Sequence, residues 1–109
     1  MDSFLTLLGL ARRAGRLDIG ETPVYEAIGR GRCRGVFLAG DAAKNTRDRL
    51  DNRRGDVPLY PVPFSKAELG RALGRESCAI AATGDAGFLA GLLRALEEKT
   101  HHHDGGVTI

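Results

Sequence analysis

The 109-residue chain has no tryptophan, two cysteines, four prolines and 6% aromatic residues, and its only histidines are His101, His102 and His103. Each scarcity removes a class of function. Cys33 and Cys78 are far apart and form no C-x-x-C pair, too little for a disulfide framework or a zinc site, so they read as two buried free thiols. The few aromatics are not interleaved with basic residues, which argues against a sheet that reads stacked bases. Histidines confined to the C-terminal end leave none to activate a Ser or Cys nucleophile, and no glycine-rich phosphate loop follows a strand. The expectation is therefore a non-enzyme without cofactor or metal, with His101–His103 an ordinary polar stretch. No apolar run approaches the ~20 residues that span a bilayer. Asp2 stands where a signal peptide carries basic residues. A cytoplasmic protein with no membrane contact is expected.

What is present is charge, unevenly placed. The net charge is only +2, but residues 1–75 hold 14 basic against 9 acidic residues and residues 76–109 hold 2 against 5. Arginine outnumbers lysine 13 to 3, and its fork suits phosphate.

Periodicity gives an alternation of short helices and strands. Asp2 or Ser3 caps a first helix with Phe4, Leu7, Leu8 and Ala11 on one face, closed by Gly15. Leu17-Asp18-Ile19 reads as a strand, and Thr22-Pro23 as the N-cap and first residue of a second helix. Gly35–Gly40 and Cys78–Thr83 read as strands buried on both faces. A solvated helix over residues 44–54 lies between them, with Leu50 its main apolar residue. The extended segment Val57–Val62 carries two prolines and belongs at a sheet edge. Ser65-Lys66-Ala67-Glu68 is a capping box, and Asp41 and Asp85 sit at expected caps, Asp85 heading a last helix. The order α-β-α-β-α-β-α-β-α predicts an α/β domain over residues 1–99, a three-layer αβα sandwich around a small mixed four-stranded sheet. Residues 100–109 are expected to be a flexible tail.

Two connections suit a polar ligand. Gly20-Glu21-Thr22-Pro23 leads into a helix N-terminus, where unpaired N–H donors and partial positive charge collect. Gly74-Arg75-Glu76-Ser77 leads into the last strand. Their significance depends on whether they converge. Gly29–Gly35, with Arg30, Arg32 and Arg34, joins a helix to a strand and is able to add phosphate contacts.

Three segments and their spacing carry a resemblance: Leu8–Gly15 ahead of Gly20-Glu21, Asp41–Thr46, and Glu68–Gly74, followed by Thr83–Phe88. Together, to about residue 98, they resemble the YlxQ-like bacterial branch of the ribosomal L-seven-Ae, L-thirty-e, S-twelve-e and Gadd-forty-five superfamily. The resemblance implies binding of kink-turn or related structured RNA, including ribosomal RNA, through the two connections just described. It implies a ribosome-associated monomer with ribosomal proteins as neighbours. The contact set so expected is Arg16, Gly20, Glu21, Thr22, Arg75 and Ser77, with Arg30, Arg32 and Arg34 on phosphates. The family's usual turn reads Gly-x-Asn-Glu-x-x-Lys; here Thr22, Pro23 and Glu26 replace the Asn, Glu and Lys. Those departures define the alternative, a protein–protein interaction module of the same fold that has lost its RNA site.

Overall fold

The computed structural model describes the backbone of residues 2–108 and the side chains of residues 2–99. The elements are α1 (Ser3–Arg13), β1 (Asp18–Ile19), α2 (Glu21–Gly29), β2 (Gly35–Leu38), α3 (Lys44–Arg53), β3 (Leu59–Pro61), α4 (Lys66–Ala72), β4 (Ile80–Thr83) and α5 (Ala86–Thr108). The tail expected from residue 100 falls where side chains lie outside the described residues.

The strand order is β1-β4-β2-β3. β4 runs antiparallel to both β1 and β2, and β2 runs parallel to β3, so the sheet is mixed, as expected. Alternate residues of the central strands serve opposite layers. Phe37 and Ala81 join Phe4, Leu8, Leu69 and Leu92 of α1, α4 and α5, with Leu73 at the C-cap of α4. Val36, Leu38, Ile80 and Ala82 join Val24 of α2 and Leu50 of α3. The αβα sandwich follows directly from this two-sided burial. Phe4 anchors the larger layer, stacking on Phe64 at 5.4 Å and meeting the edge of Phe37 at 5.4 Å.

The caps show where local sequence chemistry decides. Asp2 Oδ1 accepts from the Phe4 and Leu5 N–H groups, at 2.7 and 3.3 Å. The capping box at the start of α4 closes in both directions through Ser65 and Glu68. Asp85 Oδ1 accepts from Phe88 N–H at 2.8 Å.

Three expectations are corrected. The N-cap of α2 is Gly20, not Thr22, and Pro23 is the third helical residue. A proline is tolerated there because the first four helical N–H groups lack intrahelical acceptors anyway. Asp41 does not cap α3, whose N-cap is Ala43 with no side-chain bond; it accepts instead from Lys66 N–H at 2.7 Å, tying the β2–α3 connection to the start of α4. Of the two free thiols only Cys78 is buried; Cys33 is half-buried because it sits in the α2–β2 connection and not in the strand. Burial pushes both thiols above the ordinary cysteine range.

Candidate functional site

The first connection is set by backbone geometry. Gly20 has φ +94°, a conformation that favours glycine, and it turns the chain from β1 straight into α2. No side chain caps the helix, so among the described residues the N–H groups of Glu21 and Thr22 have no protein acceptor. Thr22 is exposed beside them.

The second connection is held against α4. Arg75 N–H donates to Gly70 O at 2.8 Å, and Cys78 N–H donates to Lys66 O at 2.9 Å. Gly70 faces the loop so closely that a Cβ there would stand 2.6 Å from Ser77 Cα and 2.8 Å from Ser77 N. Arg75 and Ser77 are exposed at its crest.

The two connections meet at one atom. Ile80 O accepts the Gly20 N–H at 2.9 Å and the Cys78 thiol at 3.3 Å. The first β4 residue therefore joins the turn into α2 to the loop leaving α4. Gly20 of the first connection and Cys78, which directly follows Ser77 at the end of the second, thus meet at Ile80.

The other expected residues are elsewhere. Gly35 pairs with Thr83 while Leu38 pairs with Ile80, so the start of β2 lies at the far end of the sheet from Gly20. Arg30, Arg32 and Arg34 stand at that far end. So does Arg16, whose backbone O accepts from Thr83 Oγ1 at 2.6 Å and whose Nε lies 3.8 Å from Asp85.

Within the converged site Glu21 is already engaged. Arg49 of α3 donates to both its carboxylate oxygens at 2.8 Å, and Tyr25 Oη donates to Oε1 at 2.6 Å. Arg53 lies 4.7 Å from the Tyr25 ring centre. The hydrogen bonds from Arg49 and Tyr25 hold the Glu21 carboxyl well down, at about 2, while burial and the bond to Glu21 push the Tyr25 phenol up to about 12. A depressed carboxylate contributes stability that is present above its unfolded value of 4.5 and is lost as pH falls through about 2. Glu21→Gln is therefore expected to lower stability by up to about 1 kcal/mol at neutral pH, as for a largely exposed pair. The difference from wild type should fade between pH 5 and pH 2 in urea titrations.

Sequence reasoning missed Arg49, Arg53 and Arg12. The buried stripe of α3, Thr46 and Leu50, places Arg49 and Arg53 one step round the helix, so a signal existed once α3 was known to pack beside α2. Arg12 reaches Gly74, its Nη1 3.9 Å from where a Cβ would stand, and so brings a guanidinium to the connection that carries Arg75. Nothing in the sequence links residues 12 and 74. Among the described residues Arg12, Arg71 and Arg75 form no ion pair, whereas Lys44, Arg47, Arg49 and Arg54 all do.

Comparison with known proteins assigns the class. The profile of the Ribosomal protein L7Ae/L30e/S12e/Gadd45 family matches residues 2–89, and the chain belongs to that family. It is similar to the RNA-binding protein YlxQ of Bacillus subtilis (strain 168), with 36% identity over 95 residues, 84% of this chain and 92% of that protein. The RNA-binding protein YlxQ of Enterococcus faecium is 34% identical over 73 residues, 65% of this chain and 70% of that one. A solved structure from Bacillus halodurans C, described as a protein with unknown function, superposes with TM-score 0.81 at 34% identity, covering 90% of this chain and 100% of that chain. The Giardia lamblia 15.5kD RNA binding protein shares the fold, with TM-score 0.67 at 20% identity over 88% of this chain and 83% of its own.

Proposed function

We propose that this chain is a non-enzymatic, cytoplasmic, monomeric binder of structured RNA, ribosomal RNA or a kink-turn, acting through the surface where the Gly20 turn meets the Arg75–Ser77 loop. The observation that carries the reading is the double acceptance at Ile80 O, which ties the Gly20 turn to the end of the Arg75–Ser77 loop. The relatives named as RNA-binding proteins support it.

Each part has a physical role. The free N–H groups of Glu21 and Thr22 and the Thr22 hydroxyl offer donors to phosphate or a base edge. Arg12 and Arg75 supply phosphate contacts from the second connection, unencumbered by carboxylates. Ser77 is small and exposed, so an extruded base is able to lie against it. The Glu21 side chain takes no direct part, because its carboxylate is spent on Arg49 and Tyr25; it fixes α2 against α3 while the backbone N–H stays free.

The test is fluorescence anisotropy with a labelled kink-turn hairpin and with bulk ribosomal RNA across a salt series. Affinity is expected to fall with salt, and Arg75→Gln to flatten the log–log slope by about 0.7 to 0.9. Thr22→Asn, Pro23→Glu and Glu26→Lys together restore the usual turn and should tighten kink-turn binding about tenfold or more, since Glu26 is exposed and repels phosphate. If RNA binds only after those three changes, the natural chain is the protein–protein module. If neither RNA shifts the natural protein at low salt, the RNA reading is wrong.

A further inference from the structure

At the far end of the sheet the register brings three segments together, and two of them carry Arg16, Arg30, Arg32 and Arg34. These are the α1–β1 connection, the α2–β2 connection and the turn after β4. Building on the RNA-binding reading, we propose that this end is a second ribose–phosphate contact surface, so that the chain grips two stretches of RNA backbone, one at each end of its sheet.

Three of the guanidiniums there are anchored without being used up. Arg34 is exposed and donates through Nε to Gly84 O at 3.1 Å, which leaves both Nη groups uncommitted among the described residues. Arg32 commits Nη1 to Asp18 Oδ2 at 3.2 Å, and Arg16 approaches Asp85 only through Nε, at 3.8 Å. Each arginine has five N–H donors in a rigid fork, so one anchored edge orders the group and leaves the remaining donors for phosphate oxygens. The ordering lowers the conformational entropy lost on binding.

The backbone supports the same arrangement. Gly84 packs so tightly on the α2–β2 connection that a Cβ would collide with the Arg32 carbonyl oxygen. Gly15, Arg16, Leu17, Asp18, Arg32 and Gly84 line one open groove of about 230 Å³. Gly15 and Gly84 present no side chain there, so another backbone can approach closely. Asp18 and Asp85 offset two of the four positive charges, and Asp56 lies beyond Arg34 in the neighbouring groove, leaving the surface net positive. Four-residue strands separate this end from Gly20 by roughly 13 Å, so the two surfaces meet different phosphates.

The experiment compares wild type with Arg30→Gln/Arg32→Gln/Arg34→Gln by anisotropy, using bulk ribosomal RNA and a kink-turn hairpin with a long duplex arm. The triple variant should lose about 2 to 3 from the log–log salt slope. The double variant Arg30→Gln/Arg34→Gln, which keeps the Arg32–Asp18 pair, should lose about 1.4 to 1.8 and guards against a folding artefact. A wild type that binds while both variants keep its slope overturns this inference and leaves the RNA-binding reading intact. A wild type that binds neither RNA overturns both.

Discussion

Gly70→Ala is expected to weaken RNA binding about tenfold or more while destabilising the fold by about 1 to 3 kcal/mol. The added methyl would stand 2.6 Å from Ser77 Cα, 2.8 Å from Ser77 N and 2.9 Å from Arg75 O. All three are backbone atoms, so no side-chain rotation relieves the contact. Either α4 shifts away from the loop or the loop moves outward, and both displace Arg75 and Ser77 relative to Gly20. Gly29→Ala is the matched control, because a Cβ there meets nothing within 4 Å and the residue ends a helix with ordinary φ. It should leave affinity unchanged and hold or slightly raise stability. Urea titration and anisotropy on the two variants separate a local loop effect from a general one. Equal affinities for Gly70→Ala and wild type would mean that the loop position does not matter to the ligand.

Phe4→Ala is expected to cost about 3 to 5 kcal/mol, the largest single loss from the core. Phe4 is 0% exposed and lies between Phe37 of β2 and Phe64 ahead of α4. Its removal leaves a cavity among three elements that have no shared turn to collapse through. Against a total stability of ordinarily 5 to 15 kcal/mol, such a loss brings the domain close to unfolding at room temperature. Thermal melts should show the midpoint lowered by about 12 °C or more, at 4 to 8 °C per kcal/mol for a chain of this size. A loss under about 1 kcal/mol would contradict the packing described for the α1, α4 and α5 layer.

Much of this architecture was legible because local chemistry and global packing agree. The apolar runs Gly35–Leu38 and Ile80–Thr83 are buried at every residue, and such runs have few placements other than the centre of a covered sheet. Pro58 and Pro61 consign β3 to an edge, where it is found. The capping box at Ser65 and the cap at Asp85 close as written. What escaped the sequence was mostly long-range. Asp41 looks like a local cap, but a partner 25 residues away, Lys66 N–H, takes it. Gly20 supplies the cap position of α2 because its positive φ makes the turn without help from Thr22.

The site was legible in part for the same reason. Both connections were recognisable as polar loops beside a helix or strand end, and the chain order of the family motifs fixed where they fall. Their meeting at Ile80 O depends on an antiparallel register that no spacing reveals. Arg16 is two residues before β1 in sequence, yet the two-residue strand carries the chain from one end of the sheet to the other between Arg16 and Gly20. Glu21 illustrates a different gap. Only the packing of α3 against α2 shows that its carboxylate is already engaged by Arg49.

The most direct measurement of the central claim is amide chemical-shift mapping of the ¹⁵N-labelled chain titrated with a kink-turn hairpin and, separately, with a ribosomal RNA fragment. The account predicts the largest shifts jointly at Gly20, Glu21 and Thr22 and at Arg75, Glu76 and Ser77, since one ligand covers both connections. Shifts confined to one connection, or absent from both while RNA is bound elsewhere on the chain, would contradict it.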